Sequence, residues 1–281
     1  MTPSPTGSMP DLAALEQHMR AAAARAATFI AERAATRATL TWEHKGPADF
    51  VSEVDVGAEQ RIRDALLARY PDAAFLGEES YDPAAGLGPG LGFVVDPLDG
   101  TTNFLHGFPW YAVSIGATFA GQPIAGVVHN AAMGEVFSAT AAGGAHRRTS
   151  PDAPPERIHV SPITEPPRAL IGSGFPFKNH EEIPRYAAQF AAVTRATAGI
   201  RRAGSAALDL CDVACGRFDA FWELNLSPWD LAAGLLIIRE AGGIATTPDG
   251  AEAQIAHNGL CVGNPAMHDW LLRTLQTAAS A

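Results

Sequence analysis

The chain has 281 residues, 47% of them hydrophobic, and a formal charge of −10. That much apolar material fills one large domain or two closely packed halves, so disorder is not the expected state, while the acidic balance disfavours a nonspecific electrostatic grip on nucleic acid. No apolar run reaches the roughly 18 residues of a membrane span, and Asp11, Glu16, Arg20 and Arg25 stand where a signal peptide is apolar, so a cytoplasmic location without membrane contact is expected.

Residues 1–10, with Pro3, Pro5, Gly7 and Pro10, read as a disordered lead-in, and Asp11 is placed to cap a helix. Leu12, Leu15, Met19, Ala22, Ala26, Phe29 and Ile30 recur every three or four residues, predicting an amphipathic helix into the mid-thirties. A second helix is expected from about Asp55 to Arg69, with Ala58, Ile62, Ala65 and Leu66 inside and Pro71 beyond its end. Short apolar stretches follow at 73–76, 92–95 and 111–117, then 124–128 and 136–139 beyond the Gly121-Gln122-Pro123 turn; they read as strands, the last three an antiparallel meander. Residues 82–91 and 150–156 are loose connections. The second half, about 157–281 against 11–150 for the first, alternates strand (169–172), helices (181–197 and 206–215), strand (218–222), helix (229–241) and strand (260–263). An α+β layered sandwich is the class this order implies. Cys211, Cys215 and Cys261 are too few and too uneven for a disulfide framework and read as small core residues.

The densest chemical signal is Asp96-Pro97-Leu98-Asp99-Gly100-Thr101-Thr102-Asn103-Phe104, where an apolar strand runs into two carboxylates, a glycine and two hydroxyls. Carboxylates three apart with a proline between them can face one hard cation such as Mg²⁺, and the Leu98 carbonyl can add a ligand. Gly100 permits close backbone approach, and free amides at Gly100 and Thr101 suit a phosphate oxygen. The plain alternative is a surface turn, since Asp-Gly and Asp-Pro are common turn pairs. Two further acidic segments shift the balance: Gly77-Glu78-Glu79-Ser80 at another strand end, and Asp230 in the first turn of an alanine-rich helix, where it would otherwise serve only the helix dipole.

These three motifs, with Trp229-Asp230-Leu231-Ala232-Ala233-Gly234 as the third, together resemble the inositol monophosphatase family, over most of the chain from about Lys45. The resemblance implies an αβαβα sandwich forming one domain over residues 11–281, assembled as a homodimer. It makes Glu78, Asp96 and the Leu98 carbonyl ligands of one Mg²⁺ and Asp96, Asp99 and Asp230 ligands of a second, with two or three ions per active site. It also implies direct attack by a water held at Thr101, with Asp55 paired to that threonine, although Asp55 also stands where a helix cap belongs. Asp99, Gly100, Thr101, Gly204, Ala206, Glu223 and Asp230 match substrate-facing positions. Glu223 has a rival role as an exposed loop acid, and Gly204 and Ala206 as helix-packing residues. Lys45 matches a loop that closes over the site, or is a surface lysine.

The activity implied is hydrolysis of inositol 1-phosphate to inositol and phosphate, sensitive to lithium. A fructose-1,6-bisphosphatase, a nucleotide 3′-phosphatase and a histidinol phosphatase share the metal ligands; the bisphosphate and nucleotide substrates call for extra cations, of which Arg201-Arg202 is the evident cluster. A different class of reading is a regulatory protein that contacts the transcription machinery. No Ser/His/Asp or Cys/His nucleophile pattern is evident.

Overall fold

A computed structural model describes residues 8–40, 42–46, 49–83, 86–177 and 179–279; for residues 44–46 and 49–50 the backbone alone is described. Of the expected lead-in, residues 1–7 lie outside the described residues, and residues 8–10 carry no regular structure. Helix α1 (Leu12–Ala34) starts where Asp11 accepts the amides of Ala13 and Ala14, and its Leu15, Met19, Ala22, Ala26 and Ile30 are buried. After a short hairpin, β1 (Trp42–Gly46) with β2 (Asp49–Ser52), comes α2 (Glu53–Arg69). Its N-cap is Ser52, and Asp55 is the third helical residue, closing a capping box on Ser52. Asp55 thus belongs to the cap as a partner of Ser52, three residues inside the position expected for it. Lys45 lies in β1, and its side chain is outside the described residues.

Seven strands then form the first sheet: β3 (Ala74–Gly77), β4 (Leu91–Asp99), β5 (Ala112–Phe119), β6 (Gln122–Asn130), β7 (Val136–Thr140), β8 (Gly144–Arg148) and β9 (Glu156–Arg157), in chain order across the sheet. Only the β3–β4 pair is parallel; the rest is a meander. Strand β4 does not stop before the acidic motif but carries it, with a register shift between Asp96 and Asp99. That irregularity turns the two carboxylates toward the same end of the sheet. A six-residue helix, α3 (Thr101–His106), follows directly.

The second sheet has the order β11 (Gly199–Arg201), β10 (Leu170–Ser173), β12 (Ala220–Leu226), β14 (Asn258–Gly263), β13 (Ile244–Thr246). Its helices are α4 (Ile183–Ala196), α5 (Ala206–Ala214), α6 (Pro228–Glu240) and α7 (Pro265–Ala279). Helices α1 and α2 cover one face of the first sheet, α5 and α6 fill the space between the sheets, and α4 and α7 cover the far face of the second. These are the five layers of an αβαβα sandwich. The central layer packs tightly because glycines face it: a Cβ on Gly116 would lie 2.5 Å from the Ala232 Cβ, and one on Gly126 2.7 Å from the Ala233 oxygen. Small residues on both sides seat α6 against β5 and β6, which brings the start of α6 to the end of β4. Cys211 lies in the core between the sheets with Cys215 packed against it, and Cys261 lies in the core under α4 and α7. No described helix is long and apolar enough to cross a membrane.

Candidate active site

The end of β4 and the starts of α3, α5 and α6 surround a cleft of about 380 Å³. A larger, shallower groove of about 750 Å³ runs between α1 and α2, but it mixes Arg25, Arg61 and Arg69 with Glu32 and Asp64 around Phe29. Opposite charges are mixed there, whereas the smaller cleft gathers Glu78, Asp96, Asp99, Asp209, Glu223 and Asp230 against Arg202.

Asp96, Asp99 and Asp230 each bring a carboxylate oxygen within 4.8 Å of the others. Asp96 is buried and accepts the Leu98 amide at 3.0 Å. Asp99 accepts the Ser205 hydroxyl and the Ala207 amide, both at 2.7 Å, so the first turn of α5 aims it. Asp230 accepts the Ser227 amide at 2.7 Å at the start of α6. Glu78 lines the same cleft, with its amide bonded to the Val95 carbonyl at 3.1 Å. Burial first, then the charges of Glu78, Asp99 and Asp230, push the Asp96 carboxyl well above the usual range. Burial also raises Asp99, against the opposing bonds from Ser205 and Ala207. Such a group is costly when ionised and becomes stable when oxygen-seeking cations sit among the carboxylates.

Thr101 donates its hydroxyl to Asp55 Oδ1 at 2.8 Å, with the Leu98 carbonyl 3.1 Å away as a second acceptor. Asp55 Oδ2 accepts the Ser52 amide at 2.8 Å and the Ser52 hydroxyl at 2.6 Å. The two roles the sequence left open for Asp55 are divided between its two oxygens. Burial raises its pKa and the bonds from Ser52 and Thr101 oppose that. Gly100 takes φ +93°, and a Cβ there would be 2.9 Å from the Trp110 carbonyl, so the turn into α3 requires glycine.

Gly204, Ala206 and Glu223 line the other part of the cleft, and Glu223 belongs to β12 rather than to a loop. Apart from Lys45, whose side chain is not described, the site residues expected from the sequence line the cleft, except Asp55, which sits behind Thr101. Several residues given no role by the sequence also serve here. Ser205 holds Asp99; its position just before α5 was the available signal. The Asn103 amide group reaches the carbonyls of Trp110, Ala203 and Gly204 at 2.7, 2.9 and 3.3 Å, tying α3 to the Gly204 turn a hundred residues away. Glu59, one turn after Asp55 on α2, accepts the Glu79 amide at 2.8 Å. Asp209 stands in the cleft wall, as does Arg202 of the basic pair noted in the sequence.

The inositol monophosphatase family model matches residues 11–280. The chain belongs to the inositol monophosphatase family. Among its relatives, an inositol-1-monophosphatase of Rhizobium meliloti is 41% identical over 232 residues, covering 83% of this chain and 85% of the relative. A Nus factor SuhB of Pseudomonas aeruginosa is 40% identical over 258 residues, covering 90% of this chain and 93% of the relative. The crystal structure of an extragenic suppressor protein suhB from Bartonella henselae superposes with a TM-score of 0.86 at 38% identity, covering 94% of this chain and 98% of that one. Family membership carries the phosphatase class, and the relatives' names divide between inositol-1-monophosphatase and Nus factor SuhB.

Proposed function

We propose that this chain hydrolyses the phosphomonoester of a small polyol, with inositol 1-phosphate the leading substrate, by direct attack of water at a Mg²⁺ site. The observation that carries the reading is the convergence of Asp96, Asp99 and Asp230 within 4.8 Å, beside Glu78 and the Thr101–Asp55 pair. Glu78, Asp96 and the Leu98 carbonyl would hold one ion and Asp96, Asp99 and Asp230 another, in an all-oxygen set that suits Mg²⁺. When bound, the ions neutralise phosphate charge, lower the pKa of water and stabilise the leaving oxygen.

The protein's own residues do the rest. With its proton directed to Asp55, Thr101 turns a lone pair toward the cleft and accepts a hydrogen from the attacking water, fixing its line of approach. The amides of Gly100 and Thr101 receive a phosphate oxygen. Glu223 and the backbone near Gly204 and Ala206 face the alcohol part of the substrate. That end combines two acids, Asp209 and Glu223, with a single arginine, Arg202, which favours an uncharged polyol over a second phosphate.

The test is Mg²⁺-dependent phosphate release from inositol 1-phosphate, fructose 1,6-bisphosphate, adenosine 3′,5′-bisphosphate and histidinol phosphate. We expect the first to be preferred, and lithium at millimolar levels to inhibit. Preference for another of the four would keep the metal site and change the substrate; release from none would sink the reading. The homodimer is proposed on the exposed apolar side chains of Phe175, Phe177, Ile183 and Phe190, surface that association would cover. A cytoplasmic location fits a soluble phosphorylated metabolite.

The name of the Pseudomonas relative favours a second reading, contact with the transcription machinery. Co-purification of purified RNA polymerase with a catalytically silent variant would support it, and no association at micromolar concentration would remove it.

Glu59 provides a further expectation. It holds the peptide after Glu78 from α2, so Glu59→Ala should raise the Mg²⁺ concentration for half-maximal activity about 10- to 100-fold, as loss of a partner behind a metal ligand does. Glu59→Gln keeps an acceptor and should restore most of it. Calorimetric titration with Mg²⁺ checks both; equal affinities for the wild type and the alanine variant would remove Glu59 from the metal site.

A further inference from the structure

One acid in the cleft wall has a carboxylate oxygen with no hydrogen bond among the described residues. Asp209 lies one turn into α5, is 2% exposed, and its Oδ1 is buried without a hydrogen bond among the described residues. Burial opposes its ionisation most, the like charges of Glu223, Asp212 and Asp99 oppose it further, and Arg202 is the cation that favours it. Arg202 is itself held over the rings of Phe175 and Phe177, at 5.7 and 5.0 Å. A carboxyl group in such a place weakens the fold, because a buried acceptor without a donor loses its water and gains nothing in return. An apolar residue of similar size would pack α5 better. Keeping an acid there makes sense when its donor arrives with a ligand.

The neighbourhood indicates what that ligand offers. Glu223 is given room by Gly174, where a Cβ would come within 2.0 Å of its carboxyl group. Both acids line the same cleft as the Asp96 cluster, and neither belongs to that cluster. Two carboxyl groups beside a phosphate site repel a second anion and suit hydroxyl donors, each of which can satisfy one acceptor.

We propose that Asp209 is a specificity-determining residue: it accepts a hydroxyl of the substrate's alcohol portion, working beside Glu223 to select a polyhydroxylated leaving group over a simple one. The inference rests on the phosphatase reading and adds to it which residue reads the alcohol. It also makes a particular demand, that the residue contribute to selectivity while costing stability.

The experiment compares the wild type with Asp209→Leu in Mg²⁺, using inositol 1-phosphate and cyclohexyl phosphate, which has the ring without its hydroxyls. Inhibition by inorganic phosphate reports the metal end separately. We expect kcat/KM for inositol 1-phosphate to fall about 10- to 100-fold, the loss of a hydrogen bond to a carboxylate. The rate with cyclohexyl phosphate should fall far less, the inhibition constant for phosphate should move less than twofold, and Tm should hold or rise. If the leucine variant does not fold, Asp209→Asn takes its place, with a fall of about tenfold expected. Parallel losses on both substrates, unchanged selectivity, or a lowered Tm with normal selectivity would each overturn the proposal. A wild type inactive on inositol 1-phosphate would instead refute inositol 1-phosphate as the substrate, so the two failures are distinguishable.

Discussion

Asp96→Asn should abolish useful turnover and, in chelator, make the protein more stable. Asp96 is the residue to which both metal positions are assigned, so its loss removes several kcal/mol of transition-state stabilisation, on the order of a 1,000-fold fall in kcat. The stability effect runs the other way. The folded protein holds the Asp96 proton more tightly than the unfolded chain does, because burial and the charges of Glu78, Asp99 and Asp230 raise its pKa. Metal-free protein therefore loses stability as pH rises from the ordinary carboxylate value of 3.8 through the raised one, and the amide removes that group's contribution. Each kcal/mol recovered raises Tm by about 2–4 °C in a chain of this size. Melting curves from pH 4 to 8, in chelator and in excess Mg²⁺, check the claim. Wild type should gain from Mg²⁺ most at high pH, and the variant should gain little at any pH. A variant that melts lower than the wild type in chelator would show that Asp96 is held by bonds rather than strained by its neighbours.

The parts of this molecule that could be read from sequence are those where one local pattern determines the outcome. Apolar spacing located α1 and α2 to within a few residues, and the small-residue run after Asp230 marked a helix buried on most sides. The acidic motifs were legible because strand ends and helix starts place a carboxylate predictably. Helix α7 lies beyond the last expected strand, yet Met267, Leu271 and Leu275 keep a four-residue period, so its signal is in the sequence. Strand β8 gave little warning, since Gly144–Arg148 carries two arginines, and its place follows from pairing with β7. What no local pattern reveals is contact across the chain. Glu59 reaches Glu79 over 20 residues, Asn103 reaches Gly204 over 101, and Asp99 meets Ser205 over 106. Each depends on how the layers stack, so the acidic residues of the cleft were readable while the residues that aim them were not.

Asp55→Asn should lower kcat about 100- to 10,000-fold, the range for removing a group that manages a proton at the reacting water. The same change touches the α2 cap, so the activity loss must be separated from a cost in stability of about 1 kcal/mol for a damaged cap. The division between its two oxygens supplies the separation. Ser52→Ala removes the hydroxyl donor to Oδ2, leaving the Thr101 bond intact, and should lower Tm by a few degrees with kcat within a few-fold of normal. Thr101→Val removes the donor to Oδ1 at almost constant volume and should reproduce the kcat loss with the cap undisturbed. Combining Asp55→Asn with Thr101→Val should then cost little more than either alone, because groups that act as one unit do not contribute additively. If instead the losses multiply, the two residues act on different steps and the water is not held by the pair. If Ser52→Ala loses activity as severely as Asp55→Asn, the cap itself sets the geometry of the site, and α2 functions as a rigid bracket rather than the carrier of a catalytic carboxylate.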